Sequence, residues 1–332
     1  MSMSSSSKSV EKLDLNKVWK HVDPLGEALH FLHMNGVFCA HSEFTAPWGV
    51  DLPPIKDCLM FHVVTSGQCW LDVEGAEPKL LRPGDFALVP HGEGHKLQDD
   101  LKTPTEDLFD LPREEIGERY EIIRYGNGGE ETTMICGAVR FDHPAAERLV
   151  SLLPRLIYIE AWKSPQMEWT QSTLGLMAAE AKELRPGGET IITRLADILV
   201  IQAIRTWMSQ DPVAKTGWLG ALQDKEIGRA ILLIQRNPER VWTVESLADE
   251  VAMSRSAFAA RFKELVGESP MNYVARWKMN LALTWLKEED ATVNKLADRL
   301  GYQSEAAFSR AFKRFIGVSP GAIRRNNDIA HN

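Results

Sequence analysis

The sequence predicts a multidomain α+β protein: a β-rich domain, a helical segment behind it, and an all-α domain holding two helix-turn-helix units. Three observations predict this. Short apolar runs broken by turn residues fill about residues 38–140, the apolar spacing lengthens to a helical period after Pro144, and one pattern is written twice after residue 242. At roughly 100–200 residues per domain, 332 residues suit at least two domains. The expected boundaries are a loose tail over 1–10, a β-rich domain over 11–142, a helical segment over 143–210, a linker over 211–223 and the double helix-turn-helix domain over 224–326.

Composition narrows the function classes. With 44% apolar and 25% charged residues the chain is an ordinary globular one rather than a disordered one. No stretch approaches the roughly 18 uninterrupted apolar residues of a membrane helix, and the apolar-looking segment 195–204 is cut by Asp197 and Gln202. The serine-rich start lacks the apolar region of a secretory signal. Cys39, Cys58, Cys69 and Cys136 form no CxxC pair and no disulfide framework, so the expected compartment is the reducing cytoplasm. Net charge is −8, yet residues 226–325 carry 16 basic against 12 acidic side chains, a local balance of +4 that leaves −12 on the remainder. An acidic body with a basic end suits one domain that avoids phosphate and one that meets it.

Taken in order, Asp23-Pro24 reads as an N-cap and first helical residue leading Leu25, Ala28, Leu29 and Leu32, and Asn35-Gly36 reads as the turn into the first strand. Residues 60–65 and 69–73 flank Ser66-Gly67-Gln68, the pattern of a hairpin. Residues 85–90 follow the turn Arg82-Pro83-Gly84, and 132–141 form another β-leaning run. Helical patterns then cover 169–184 and 190–208, separated by Arg185-Pro186-Gly187-Gly188. In the second, Ile191, Leu195, Ile198, Leu199, Ile201 and Ile204 spread over more than half the circumference. Such a helix buries two sides, either within its own chain or against a second copy, and the second choice predicts a homodimer.

The repeat is the decisive feature. Thr243-Val244-x-x-Leu247-Ala248-Asp249-x-Val251 returns 49 residues later as Thr292-Val293-x-x-Leu296-Ala297-Asp298-x-Leu300. Phe258-x-x-x-Phe262-Lys263 and Gly267-x-Ser269-Pro270 return 50 residues later as Phe308-x-x-x-Phe312-Lys313 and Gly317-x-Ser319-Pro320. The one-residue change of offset marks a turn between the two blocks of each unit. In each first helix the apolar residues fall at i, i+3, i+4, i+7, and Ser254 and Ser304 are natural N-caps for the second helices. The faces opposite the phenylalanines are Arg255, Ser256, Ala259, Ala260 and Lys263 in one unit, and Glu305, Ala306, Ser309, Arg310, Lys313 and Arg314 in the other. Small and basic side chains let a helix enter a major groove and leave donors for phosphate and guanine. A single basic stripe is usually a solvated face; two matching copies are not. Between the units, Ser269-Pro270 caps a helix running to about Lys287, a rod of roughly 27 Å that can hold two recognition helices about one DNA turn apart.

These motifs resemble the AraC/XylS-type DNA-binding domain of bacterial transcription regulators over residues 226–325. The most specific part is Leu296-Ala297-x-x-Leu300-Gly301-Tyr302-x-Ser304 with Phe308-Ser309-Arg310-x-Phe312-Lys313. The first unit departs from the pattern: Ala260 stands where Arg310 stands in the second, and Arg261 follows one place later. The resemblance implies double-stranded promoter DNA as partner, with RNA polymerase a further candidate.

Gly84-(x)5-Pro90-x-Gly92-x-x-His95 resembles the second motif of the cupin barrel, with Asp99 at its end, and His62 and Gly75 fit the first motif. Val64 and Gln68 replace its other metal ligands. The resemblance implies a cupin-like sensor barrel with no metal cofactor, although His62 and His95 are the pair on which a weak site would rest. Trp48, His62, Trp70 and His95, together with Gln68, are the expected effector-binding residues for a small molecule of unknown identity. Cys39 and Cys136 are candidate redox thiols; a sensor needs an exposed, low-pKa thiolate, whereas buried thiols are inert packing. The sequence therefore predicts a non-enzymatic transcription regulator with no catalytic residues. The alternative is a metal-dependent cupin enzyme with an appended DNA-binding domain.

Overall fold

The computed structural model describes residues 25–26, 29, 34–56, 58–141, 148–160, 172–177, 179–180, 185–288 and 292–323. The tail over 1–10 and the Asp23-Pro24 start lie outside them, although Leu25 and Leu29 are helical. The β-rich part contains β1 (Met34–Thr45), β2 (Gly49–Leu52), β3 (Cys58–Ser66), β4 (Cys69–Val73), β5 (Lys79–Leu81), β6 (Phe86–Val89), β7 (His95–Gln98), β8 (Glu106–Asp107), β9 (Arg113–Glu115), β10 (Tyr120–Gly126), β11 (Glu131–Phe141) and β12 (Ile157–Ile159). They form two sheets, ordered β12-β6-β3-β11-β1-β10-β9 and β5-β4-β7-β2-β8. The shape is a double-sheet sandwich rather than one continuous ring of strands, an arrangement the cupin group shares with jelly rolls.

Two expectations about turns are corrected here. Residues 58–66 and 69–73 are strands, but β3 pairs with β6 and β11 while β4 pairs with β5 and β7. The Ser66-Gly67-Gln68 corner carries the chain from one sheet to the other instead of closing a hairpin. Gly67 makes this possible: its φ is 72°, and a side chain there would run into the Glu131 carbonyl. Asn35-Gly36 is not a turn before the first strand. It lies inside β1, where the register against β11 slips between Gly36 and Phe38.

The central strands β3 and β6 are buried on both faces, which explains why β3, apolar apart from His62, is buried continuously from Cys58 to Val64. Met60, Val64, Ala87, Val89, Met134 and Cys136 face the sandwich interior. Leu59, Phe61, Val63, Phe86, Leu88 and Ile135 face outward and pack beneath helix α1 (Gly188–Gln210). Of the first helical pattern, residues 172–177 and 179–180 are helical and the rest lies outside the described residues. The expected linker over 211–223 is corrected too. After a 3-10 turn over Pro212–Lys215 comes α2 (Gly217–Gln223), and Trp218, Leu219 and Leu222 are buried in the main core. The apolar residues win over the polar, Pro-containing start of that segment.

Then come α3 (Lys225–Arg236), α4 (Val244–Glu250), α5 (Arg255–Val266), α6 (Pro270–Glu288), α7 (Val293–Arg299) and α8 (Glu305–Ile316), and residues 320–323 are helical as well. The first unit is α4–α5 and the second α7–α8, each starting on a side-chain cap. Thr243 and Thr292 cap α4 and α7, and Ser254 and Ser304 accept from Ala257 and Ala307 at 3.3 and 3.2 Å. The extra residue of the second unit sits between its helices, in the stretch 300–304 against 251–254. The first unit's Phe258 and Phe262 join the core that begins under the sheet, whereas Phe308 and Phe312 form a separate core with Met279, Ala282 and Leu286 of α6.

Candidate nucleic-acid interface and sensor cavity

Helices α5 and α8 each bury one phenylalanine edge and turn the other outward. Arg255, Ser256, Ala260 and Lys263 are exposed on α5, with Ala259 half-buried; Glu305, Ala306, Arg310, Lys313 and Arg314 are exposed on α8, with Ser309 half-buried. All eleven residues thus share the two outward faces that the spacing predicts. Arg261 does not join them. It reaches back to Asp224, the N-cap of α3, at 2.5 Å, and to Glu226 at 3.8 Å. The first recognition helix therefore lacks an arginine at the position of Arg310, and its nearest one is occupied by two carboxylates.

The expected effector residues divide. His62 and His95 are buried and meet at 2.6 Å through their Nε2 atoms. Trp48 is also buried, stacked obliquely on Phe44 with ring centroids 4.5 Å apart. Trp70 and Gln68 are corrected. In β4 the inward side chains are Cys69, Leu71 and Val73, so Trp70 faces away from the interior, and Gln68 is exposed at the corner.

The histidine contacts fix a directed chain of hydrogen bonds. Burial lowers the pKa of both rings, to about 4 for His95, so both are neutral near pH 7. The Glu93 carbonyl can only accept, so His95 Nδ1 donates to it at 3.1 Å and leaves Nε2 as an acceptor. His62 Nε2 must then donate to His95, and His62 Nδ1 accepts the Cys136 thiol proton at 3.1 Å. With both Nε2 atoms spent on each other, Val64 in the apolar interior and Gln68 outside, these residues do not fit the cupin metal site. Among the described residues no three His, Cys, Asp or Glu side chains converge to hold an ion.

The redox assignment also changes. Cys136 faces the sandwich interior while Cys39, on the neighbouring strand, faces the helices, so one sheet separates them. Burial pushes both thiols well above the usual range. Neither is the exposed thiolate that sensing by oxidation needs.

What sequence reasoning missed is the cavity beside His62. It measures about 20 Å³ and is lined by His62, Cys136 and Ser42 among apolar side chains that include Phe38, Ala40, Phe44 and Met60. The alternation Phe38-x-Ala40-x-Ser42-x-Phe44 along β1 was the available signal, since period two places all four on one face.

The comparisons with known proteins agree with this layout. The cupin family matches residues 23–209, and a helix-turn-helix domain family matches residues 247–326. A putative AraC-like transcription regulator of Streptomyces lividans is 35% identical over 310 residues, covering 92% of this chain and 99% of the relative. The HTH-type transcriptional regulator AlkR of Acinetobacter baylyi is 31% identical over 309 residues, covering 92% of this chain and 100% of its own length. The chain belongs to the AraC-type transcription regulators. The DNA-binding domain of AdpA, solved with a target DNA, is 28% identical and covers 31% of this chain and 93% of its own, with a TM-score of 0.30. This AraC-type regulator is thus a DNA-binding protein of two parts, a cupin-type β-rich domain and a helical reading domain, and its full-length relatives are named as regulators rather than enzymes. No helix among the described residues is long and apolar enough to cross a membrane.

Proposed function

We propose that this regulator is a metal-independent, cytoplasmic homodimer whose DNA binding is controlled by a small neutral molecule entering the cavity beside His62. The cavity itself carries the reading: an apolar space with Ser42, His62 and Cys136 as its polar lining. A neutral histidine pair neither attracts an anion nor compensates a buried cation, so charge on the ligand is disfavoured. At about 20 Å³ the space holds about one water, and a ligand enters by moving flexible lining residues such as Met60. Strand β1 lines the cavity with one face and meets α1 with the other, so an enlarged cavity presses on the helix that leads to the reading domain. α1 in turn leaves Ile191 and Ile198 exposed at 47% and 44%, the face on which a second copy would pack. On DNA, the α5 and α8 faces read two successive major grooves, with Arg310 the base-reading residue and Lys313 a phosphate contact.

The test is a thermal-shift screen of small neutral apolar compounds against the wild type and Ala40→Leu, which fills the cavity. A compound that raises the wild-type melting temperature, does not raise that of the variant, and changes promoter binding only in the wild type supports the reading. Compounds that act equally on both proteins refute it.

A further inference from the structure

Lys278 lies in the middle of α6, the rod between the two helix-turn-helix units, and is only 7% exposed. A buried ammonium is costly unless its donors are used. Here two of its three donors are taken by backbone carbonyls. Nζ donates to the Leu300 carbonyl at 2.8 Å and to the Arg240 carbonyl at 3.2 Å. Leu300 is the C-cap of α7, where the free carbonyl end of the helix favours a cation. Arg240 belongs to the other unit, in the loop that leads into α4.

That loop is stiff. The Arg240 guanidinium stacks on Trp242 at 4.0 Å and pairs with Glu250 at 2.8 Å, and Trp242 Nε1 donates to the Asn237 carbonyl at 3.2 Å. The same loop also touches the second unit directly. Gly301, just after Leu300, has a φ of 72°, and a Cβ there would stand 2.8 Å from the Glu239 carbonyl oxygen. So the entry loop of the first unit rests on the exit turn of α7, with the Lys278 ammonium bonded to both. The junction links the units directly, whereas Phe308 and Phe312 pack in a core of their own against α6.

We propose that Lys278, seated against Gly301, is a positioning residue that sets the mutual orientation of the two recognition helices and hence the half-site spacing the regulator accepts. The argument rests on geometry: one cation, one carbonyl from each unit, and a glycine that permits their approach. A rigid pair of reading helices tolerates one spacing, because each added base pair rotates and shifts the second groove.

The experiment uses the full-length protein and a footprinted operator from its own promoter, with zero, one or two base pairs inserted between the half-sites, at one fixed salt concentration. The wild type is expected to lose about tenfold or more per insertion, in the range of a lost base contact. Lys278→Met is expected to weaken the native spacing and to flatten the profile to within about threefold across the insertions, while Lys278→Arg, which keeps a cation, retains part of the discrimination. A parallel loss at every spacing by Lys278→Met would mark a merely structural role and overturn the proposal. Should Lys278→Met not fold, Gly301→Ala opens the same junction from the other side, and an unchanged spacing profile in that variant is equally fatal.

Discussion

Ala252 and Gly301 occupy the same place in the two copies of one turn, and both are left-handed, with φ of 56° and 72°. Each follows the first helix of its unit, where the chain must reverse toward the recognition helix. Glycine adopts this conformation freely; alanine there costs about 1–2 kcal/mol, part of which glycine's greater unfolded freedom offsets. Ala252 is exposed, so nothing is lost in packing. Ala252→Gly should therefore stabilise the protein by about 0.5–1 kcal/mol in chemical denaturation. A variant less stable than the wild type would show that the alanine methyl is useful there.

Arg310 has no counterpart in the first unit, where Ala260 stands and Arg261 is tied to Asp224. Arg310→Ala should weaken specific binding about 5- to 150-fold, the equivalent of one bidentate guanine contact, and relax preference in one half-site only. Titrations on operators with each half scrambled decide this. Equal losses on specific and random DNA would make Arg310 a phosphate contact.

The His62–His95 pair makes stability depend on pH. Burial lowers both pKa values below the usual 6.5, to about 4 for His95, so the unfolded chain binds more protons as the pH falls through the interval between them. Stability must then drop on acidification, and for His95 alone the loss between pH 7 and 5 is on the order of 2 kcal/mol. Melting curves at pH 7, 6 and 5 should show the fall, with a shallower slope in His95→Gln. The opposite trend would mean that the pair carries a charge in the folded protein.

The apolar surplus of α1 gives a prediction about assembly. Ile191→Glu with Ile198→Glu places charges on the exposed face without touching Ile192, Leu199 or Ile204 beneath it. Sedimentation should show a wild-type dimer at micromolar concentration and a monomeric, still folded double variant. A wild type that sediments as a monomer removes the dimer from the reading.

Much of this was legible in the residues because short-range rules decided it. The repeat placed the outward faces of α5 and α8, and Ser254 and Ser304 cap helices as any serine before an apolar helical run does. Partnering was not legible. Nothing local in Ser66-Gly67-Gln68 says whether the next strand returns alongside its predecessor or crosses to another sheet, and that choice also decided which way Trp70 points. Trp218 in the expected linker was misjudged for the same reason: its polar neighbours described the surface of a turn, while the large indole answered to a core formed by distant residues. The cavity beside His62 was readable only through the alternation along β1, and the contact of His62 with Cys136 not at all, since 74 residues separate them.

The division of the cores gives the duplicated units unequal histories to come. The first unit shares its packing with α1 and the outer face of the seven-stranded sheet, so a change in its interior is felt in both domains. The second stands on α6 with its own phenylalanines and carries Arg310. Substitutions on the exposed face of α8 leave the packing of the β-rich half undisturbed. On the proposed function, a lineage of such proteins could therefore move to new target genes while keeping its signal response.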